Sequence, residues 1–115
     1  MINHSGFHEF SKHFDKEFLV EIIDLFTREY PARIETLRKN VEDLDFNGLA
    51  ENIHSLKGAI ATFMAPYPVS LAQQLEDLAK QGEPAELIRK SFLELKSSTE
   101  ILISELQVLR QEFLA

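Results

Sequence analysis

An all-α chain, arranged as an antiparallel up-down four-helix bundle with a short N-terminal capping helix, is predicted by three features of the sequence. Apolar residues recur every three or four positions along almost the whole chain, the period of helices that each bury one face. No segment alternates apolar and polar residues as a half-buried strand would. Helix start and stop signals at Asp15, Asp45, Pro66, Gly82 and Pro84 divide the periodic stretch into segments with short connections. Four amphipathic helices joined in this way can close around a single core, and the nine phenylalanines supply its volume.

Phe7, Phe10 and Phe14 follow Ser5 at helical spacing and predict a short helix over about residues 6–13, a lid on a bundle that spans about residues 15–114. Asp15 is a good N-cap for a long helix whose stripe is Phe18, Leu19, Ile22, Ile23 and Phe26, then Ile34, Leu37, Val41 and Leu44. Pro31 removes one backbone donor and crowds the preceding turn, so a kink near Arg28–Tyr30 is expected. The stripe resumes almost in phase beyond it, which favours one kinked helix over two. Asp43, Asp45 and Asn47-Gly48 form a polar turn, with Asp45 the better cap for the next helix, which runs to about Phe63. Pro66 and Pro68 open the following helix, since proline is accepted in a first turn, and Leu71, Leu75 and Leu78 give it a core face. Gly82 ends it. Pro84 begins the last helix, whose stripe is Leu87, Ile88, Phe92, Leu95, Leu102, Leu106, Leu109 and Phe113.

At 115 residues the chain reads as one domain, large enough to bury a core without metal or disulfide staples. It has no cysteine, which removes thiolate chemistry, cysteine-based zinc sites and a disulfide framework, and suits a cytoplasmic protein. No apolar run approaches the length of a membrane span, and Met1-Ile2-Asn3-His4-Ser5 lacks the basic-then-apolar order of a signal peptide. A net charge of −7 opposes nucleic-acid binding, which draws its affinity from basic residues. The expected partner is a protein. No glycine-rich phosphate loop is present, so the sequence offers no visible ATP site.

The chemistry-bearing stretch is Ala50 to Ala61. Leu49, Ile53, Leu56, Ile60 and Phe63 form the buried stripe of this helix, and at 3.6 residues per turn His54 projects roughly 140° from its centre. Ala50, Gly58 and Ala61 fall near His54 on the helical wheel, and Lys57 follows one turn on. Taken alone, a polar-face histidine beside a lysine is a solvated surface. What shifts the reading is the company of small residues, above all Gly58, which in mid-helix costs about 1 kcal/mol relative to alanine. Two reasons can account for it, close packing of a neighbouring helix or close approach of a partner. A neutral imidazole is nucleophilic near pH 7, so the patch can be a docking site with a nucleophile in it.

His54-Ser55-Leu56-Lys57-Gly58 resembles the His-x-Leu-Lys-Gly signature of the histidine-containing phosphotransfer (HPt) family, four-helix-bundle phosphocarriers of phosphorelays. Two further features extend the likeness over roughly residues 7–110. In that family a second helix ending in a Leu-Glu pair follows the motif, and Leu71, Leu75 and Glu76 stand where that pattern would place them. Upstream, Asp15, Phe18, Leu19, Ile22, Ile23 and Phe26 look like the family's preceding long helix. The sequence departs from the pattern at Ala59, where a small polar residue is common, and at Met64, where a glycine is. Pro66 and Pro68 reshape the entry to the next helix, and no phosphate contact is carried over to Gln73 or Gln74.

The resemblance implies that His54 accepts a phosphoryl group from a receiver-domain aspartate and passes it to another receiver, that Lys57 is the phosphate's charge neighbour, and that Gly58 leaves room for the partner. The partner-facing residues on this reading are Ala50, Glu51, Gly58 and Ala61. The partners would be receiver domains and a hybrid sensor kinase. The chain needs no cofactor of its own, with Mg²⁺ carried by the partner receiver, which supplies most of the catalysis. The alternative from another class is an adaptor bundle that docks receivers or another signalling protein without being phosphorylated. A third reading places a metal on His4, His8 and His13, of which His4 and His8 are spaced to share a helix face. That signal is weak, since no His-Glu-x-x-His pattern or fixed carboxylate accompanies it.

Overall fold

A computed structural model describes residues 1–115. Its order is α1 (His4–Ser11), α2 (Lys16–Glu42), α3 (Phe46–Ala61), α4 (Pro66–Gln81) and α5 (Ala85–Leu114), with no strand. The all-helical fold class predicted from periodicity is what the structure has. α2 packs against α3 and α5, and α4 packs against the same two helices, so each long helix buries two flanks. Cross-helix bonds show the direction of two of these pairs. Asp24 meets Arg110 while Tyr30 meets Thr99, and Arg33 meets Ser55 while Asn40 meets Asn52, so α5 and α3 both run antiparallel to α2.

The helix boundaries follow from local chemistry. Asp15 and Asp45 are the N-caps of α2 and α3, their carboxylates accepting the backbone N–H of Phe18 and Gly48 at 2.8 and 3.0 Å. Pro66 is the first residue of α4, where its missing N–H costs nothing. Gly82 takes a left-handed φ of 64° and closes α4 in a Schellman motif, with Glu83 N–H donating to the Leu78 carbonyl and Gly82 N–H to that of Ala79. α2 continues through Pro31 as one helix, as the in-phase stripe requires.

Three expectations need correction. The first helix lies at residues 4–11 rather than 6–13, because Asn3 caps it by accepting the Gly6 N–H. A long-range bond fixes that cap, since Asn3 N–H donates to the Met64 carbonyl in the α3–α4 turn. Helix α3 stops at Ala61, two residues before Phe63, which turns into the core from the loop. Phe14, Phe18, Leu44 and Leu87 lie in the predicted stripes yet are exposed. Phe18 covers the ring of Phe14 at 4.9 Å, and Leu44 sits in the α2–α3 turn at φ 53°. Nothing in the structure explains the exposure of Leu87.

The core draws on every helix, and Leu49, Ile53, Leu56 and Ile60 of α3 are fully buried in it. At one end Phe63 collects the rings of Phe7 and Phe26 at 6.3 and 5.3 Å, which is how α1 is held as a lid. Because all four apolar positions of α3 point inward, the opposite face of that helix has to carry its polar and small residues outward, and His54 with them.

Candidate functional site

Ile53 and Leu56 are completely buried on either side of His54, so the rotation of α3 about its axis is fixed and His54 is forced out of the bundle. Its side chain is 71% exposed. Only one side of the ring meets the protein: Nδ1 stands 3.4 Å from the Glu76 Oε1 of α4, leaving Nε2 on the far side of the ring from that carboxylate.

Glu76 is the residue that organises the site. Its side chain is only 4% exposed, yet it carries a charge because two ammonium groups meet it: Lys57 Nζ donates to Oε1 at 2.9 Å and Lys80 Nζ pairs with Oε2 at 2.8 Å. Burial on its own would raise the carboxyl pKa, but the hydrogen bonds and charges of Lys80 and Lys57 outweigh it and hold it down to about 2. The same contact raises the Lys80 ammonium above its ordinary value. Two ammonium groups meet the one Glu76 carboxylate beside an exposed imidazole, and the nearby Asp77 carboxylate also acts on Lys80.

Lys57 is therefore not the free surface cation that its place on the polar face suggested. Its side chain is 19% exposed, and its ammonium bridges Glu76 and the Gln73 Oε1, the latter at 2.6 Å. Gln73 in turn gives its amide N–H to Asp77 at 2.8 Å. On the helical wheel Lys57 leans about 60° from His54, and α4 covers that flank with its acid. Asn52 and Ser55 tie α3 to α2: Asn52 donates to Asn40 at 2.8 Å and Ser55 accepts from Arg33 at 3.0 Å.

Of the positions expected to face a partner, Glu51, Gly58 and Ala61 are exposed. Ala50 is half-buried against the edge of the core, on the flank it shares with Lys57. A Cβ added at Gly58 would find nothing within 4 Å, so no neighbouring helix accounts for this glycine. Met64, where the related pattern has glycine, takes φ 54°, a left-handed conformation that glycine enters freely and other residues enter at a cost. Sequence reasoning named Glu76 as part of the family pattern and Gln73 without giving either a role beside His54, and it missed Lys80 altogether. The available signal was an acid on the apolar face of α4, four residues after Ala72 and four before Lys80. His4, His8 and His13 are exposed, and no group of three or more histidine, cysteine or carboxylate side chains converges as a metal site requires. No helix is long and apolar enough to cross a membrane.

Among the exposed histidines, His54 is the one set beside a buried carboxylate that two lysines hold charged. The Hpt domain model matches residues 21–112, most of α2 through most of α5, and the chain belongs to that family. Hpt domains are histidine phosphotransfer carriers of phosphorelays and interact there with receiver domains. No curated protein and no solved structure matches the chain.

Proposed function

We propose that His54 is the phosphoacceptor of this Hpt domain, taking a phosphoryl group from the aspartyl phosphate of a receiver and returning it to the aspartate of another. The observation that carries the reading is the pairing of an exposed imidazole with the buried Glu76 at 3.4 Å from Nδ1. A carboxylate on that side favours the tautomer with its proton on Nδ1 and leaves the Nε2 lone pair facing outward. In the transfer step, Nε2 forms a bond to phosphorus as the bond from phosphorus to the aspartate oxygen breaks, and the aspartate leaves with that electron pair as a carboxylate. The ring keeps its Nδ1 proton and becomes cationic, and the Glu76 carboxylate stabilises the new charge. No proton has to leave, and the reverse reaction needs none returned.

Lys57 is the phosphate's charge neighbour on this reading and acts together with Lys80, their ammonium groups offsetting charge on the phosphoryl oxygens. Lysine serves here as a point charge, without the bidentate fit of arginine. Mg²⁺ would be held by the partner receiver. Glu51, Gly58 and Ala61 form the surface over which the receiver brings its aspartate to Nε2, with Ala50 at its edge.

The test is transfer from a receiver loaded with phosphate. His54→Gln should lose all label, and a variant with His4, His8 and His13 all changed to alanine should keep it. Equal labelling of the His54→Gln protein would defeat the assignment. A chain that binds the phosphorylated receiver but takes no label would be the adaptor instead.

A further inference from the structure

The outer face of α5, on the side of the bundle away from α3, carries a concentration of exposed apolar surface. Five large apolar side chains of the chain are more than half exposed, and one of them, Leu114, stands in the last turn of α5. The other four, Tyr67, Leu93, Ile101 and Val108, gather on one side. Leu93, Ile101 and Val108 fall within about 80° of one another on the wheel of α5. Tyr67, from the start of α4, joins Leu93 and Ile101 in lining an open groove of about 690 Å³, together with Lys90, Glu94 and Ser97. Val108 stands two turns beyond Ile101 as a ridge in line with that groove. A gathered apolar patch rimmed by polar residues marks an interaction surface, where scattered exposed residues do not.

The spacing and charge of this face show what fits it. Lys90, Glu94, Ser97, Ile101, Ser104 and Val108 are all exposed and follow one another at alternating intervals of four and three, the spacing of a seam along which two helices pair. Ile101 and Val108 are knobs on that seam, and Ser97 and Ser104 leave hollows between them. Lys96 pairs with Glu100 in its own helix, but Lys90 pairs with neither Glu86 nor Glu94, each one turn away. Glu112, exposed on the same side and one turn beyond Val108, has no ion pair either. With four basic and five acidic residues, α5 is close to neutral although the chain carries a net charge of −7, so two copies can meet here without large repulsion.

We propose that this face binds a second copy of the chain, the two α5 helices packing antiparallel about a two-fold axis at the level of Thr99. In that register Ile101 of one copy lies across Ser97 of the other, Val108 enters the groove across Lys90, and Glu94 faces Ser104 rather than another carboxylate. A single axis relates all three pairs, and each contact occurs twice, as a closed isologous interface requires. Glu112 of one copy then comes within reach of the Lys90 ammonium of the other. The parallel alternative is disfavoured by charge, because it sets Lys90 against Lys90 and Glu94 against Glu94. Since α5 packs on α2 and α4 and lies diagonally across the bundle from α3, the pairing leaves His54 of both copies facing outward. The dimer thus presents two separate histidine faces, whatever chemistry each performs.

Sedimentation equilibrium of the full chain, from about 1 μM to about 1 mM, tests the pairing. The mass should rise with concentration from 13.2 kDa toward twice that value. Ile101→Glu places a carboxylate in the centre of the seam and should raise the dissociation constant about tenfold or more, while circular dichroism stays that of wild type because the site is exposed in the single chain. Charge reversal tests the register without touching the apolar contacts. Lys90→Glu and Glu112→Lys should each weaken the dimer, and the two combined in one chain should restore it, since the pair recurs across the axis with its signs exchanged. A wild-type chain that stays at 13.2 kDa throughout the range would overturn the proposal, even if another protein binds this face. So would a dimer indifferent to Ile101→Glu, or a double charge reversal no tighter than either single one.

Discussion

Gly58 separates fold from function, because substitutions there should move stability and transfer in opposite directions. The glycine sits in the interior of α3, exposed, with nothing within 4 Å of where a Cβ would stand. Gly58→Ala therefore meets no clash and gains the helix propensity that glycine lacks, about 0.5–1 kcal/mol. At roughly 2.1 cal/mol/K of unfolding entropy per residue, a chain of this length should melt about 2–4 °C higher. Function should respond otherwise. Gly58 lies four residues after His54, about 6 Å along the helix axis, and the receiver has to bring its phosphorus within about 3–3.5 Å of Nε2. A glutamine or tyrosine side chain reaches well into that space. Displacing the partner by an ångström is enough to cost about 100-fold, so transfer should fall in the order Gly, Ala, Gln, Tyr while circular dichroism and melting temperature show a folded helix. Stopped-flow or quench measurements of transfer, paired with thermal melts, read both quantities. A Gly58→Tyr protein that is folded and transfers at the wild-type rate would refute the reasoning. So would a series in which stability falls with side-chain size, since that would require a packing contact the structure does not have.

The ion cluster yields two further expectations. Lys57→Ala removes a largely buried ammonium that joins α3 to α4 through Gln73 and Glu76; it should lower stability by about 1–3 kcal/mol and slow transfer, and unchanged rates in the folded variant would show that the lysine has only a structural role. Glu76 should make the fold acid-sensitive, because its carboxyl is held at about 2 in the folded chain against an ordinary value of 4.5. A folded-state pKa below the unfolded one stabilises above about 4.5 and is lost as pH falls from there towards 2, an effect of about 3 kcal/mol. Melting curves between pH 2 and 7 should show that decline in wild type and a flatter one in Glu76→Gln; equal slopes would count against the buried pair.

How far the sequence reveals this molecule depends on how local each determinant is. Asp15, Asp45, Pro66 and Gly82 act on backbone groups within a few residues of themselves, so they mark helix ends without knowledge of the fold. Helix α1 was displaced by two residues because its cap is fixed from the far side of a turn, by Asn3 N–H on the Met64 carbonyl. In the site the same division holds. The outward direction of His54 and the small residue at Gly58 follow from the period of α3 alone, whereas the partner of Lys57 depends on the register between α3 and α4. A buried acid such as Glu76 is costly without its counter-charges, and those counter-charges come from two helices. Arg33 was invisible for a similar reason, since its bond to Ser55 crosses from α2 to α3.

The central claim is that phosphate resides on Nε2 of His54, and nuclear magnetic resonance of the chain mixed with a phosphorylated receiver tests it most directly. The ³¹P spectrum should gain one phosphoramidate signal that disappears on acidification, and the ¹⁵N-resolved imidazole correlations of His54 should assign it to Nε2 while Nδ1 keeps its proton. A phosphoramidate on another histidine, a substituted Nδ1 at His54, or no new signal with a receiver that binds the chain would contradict the account.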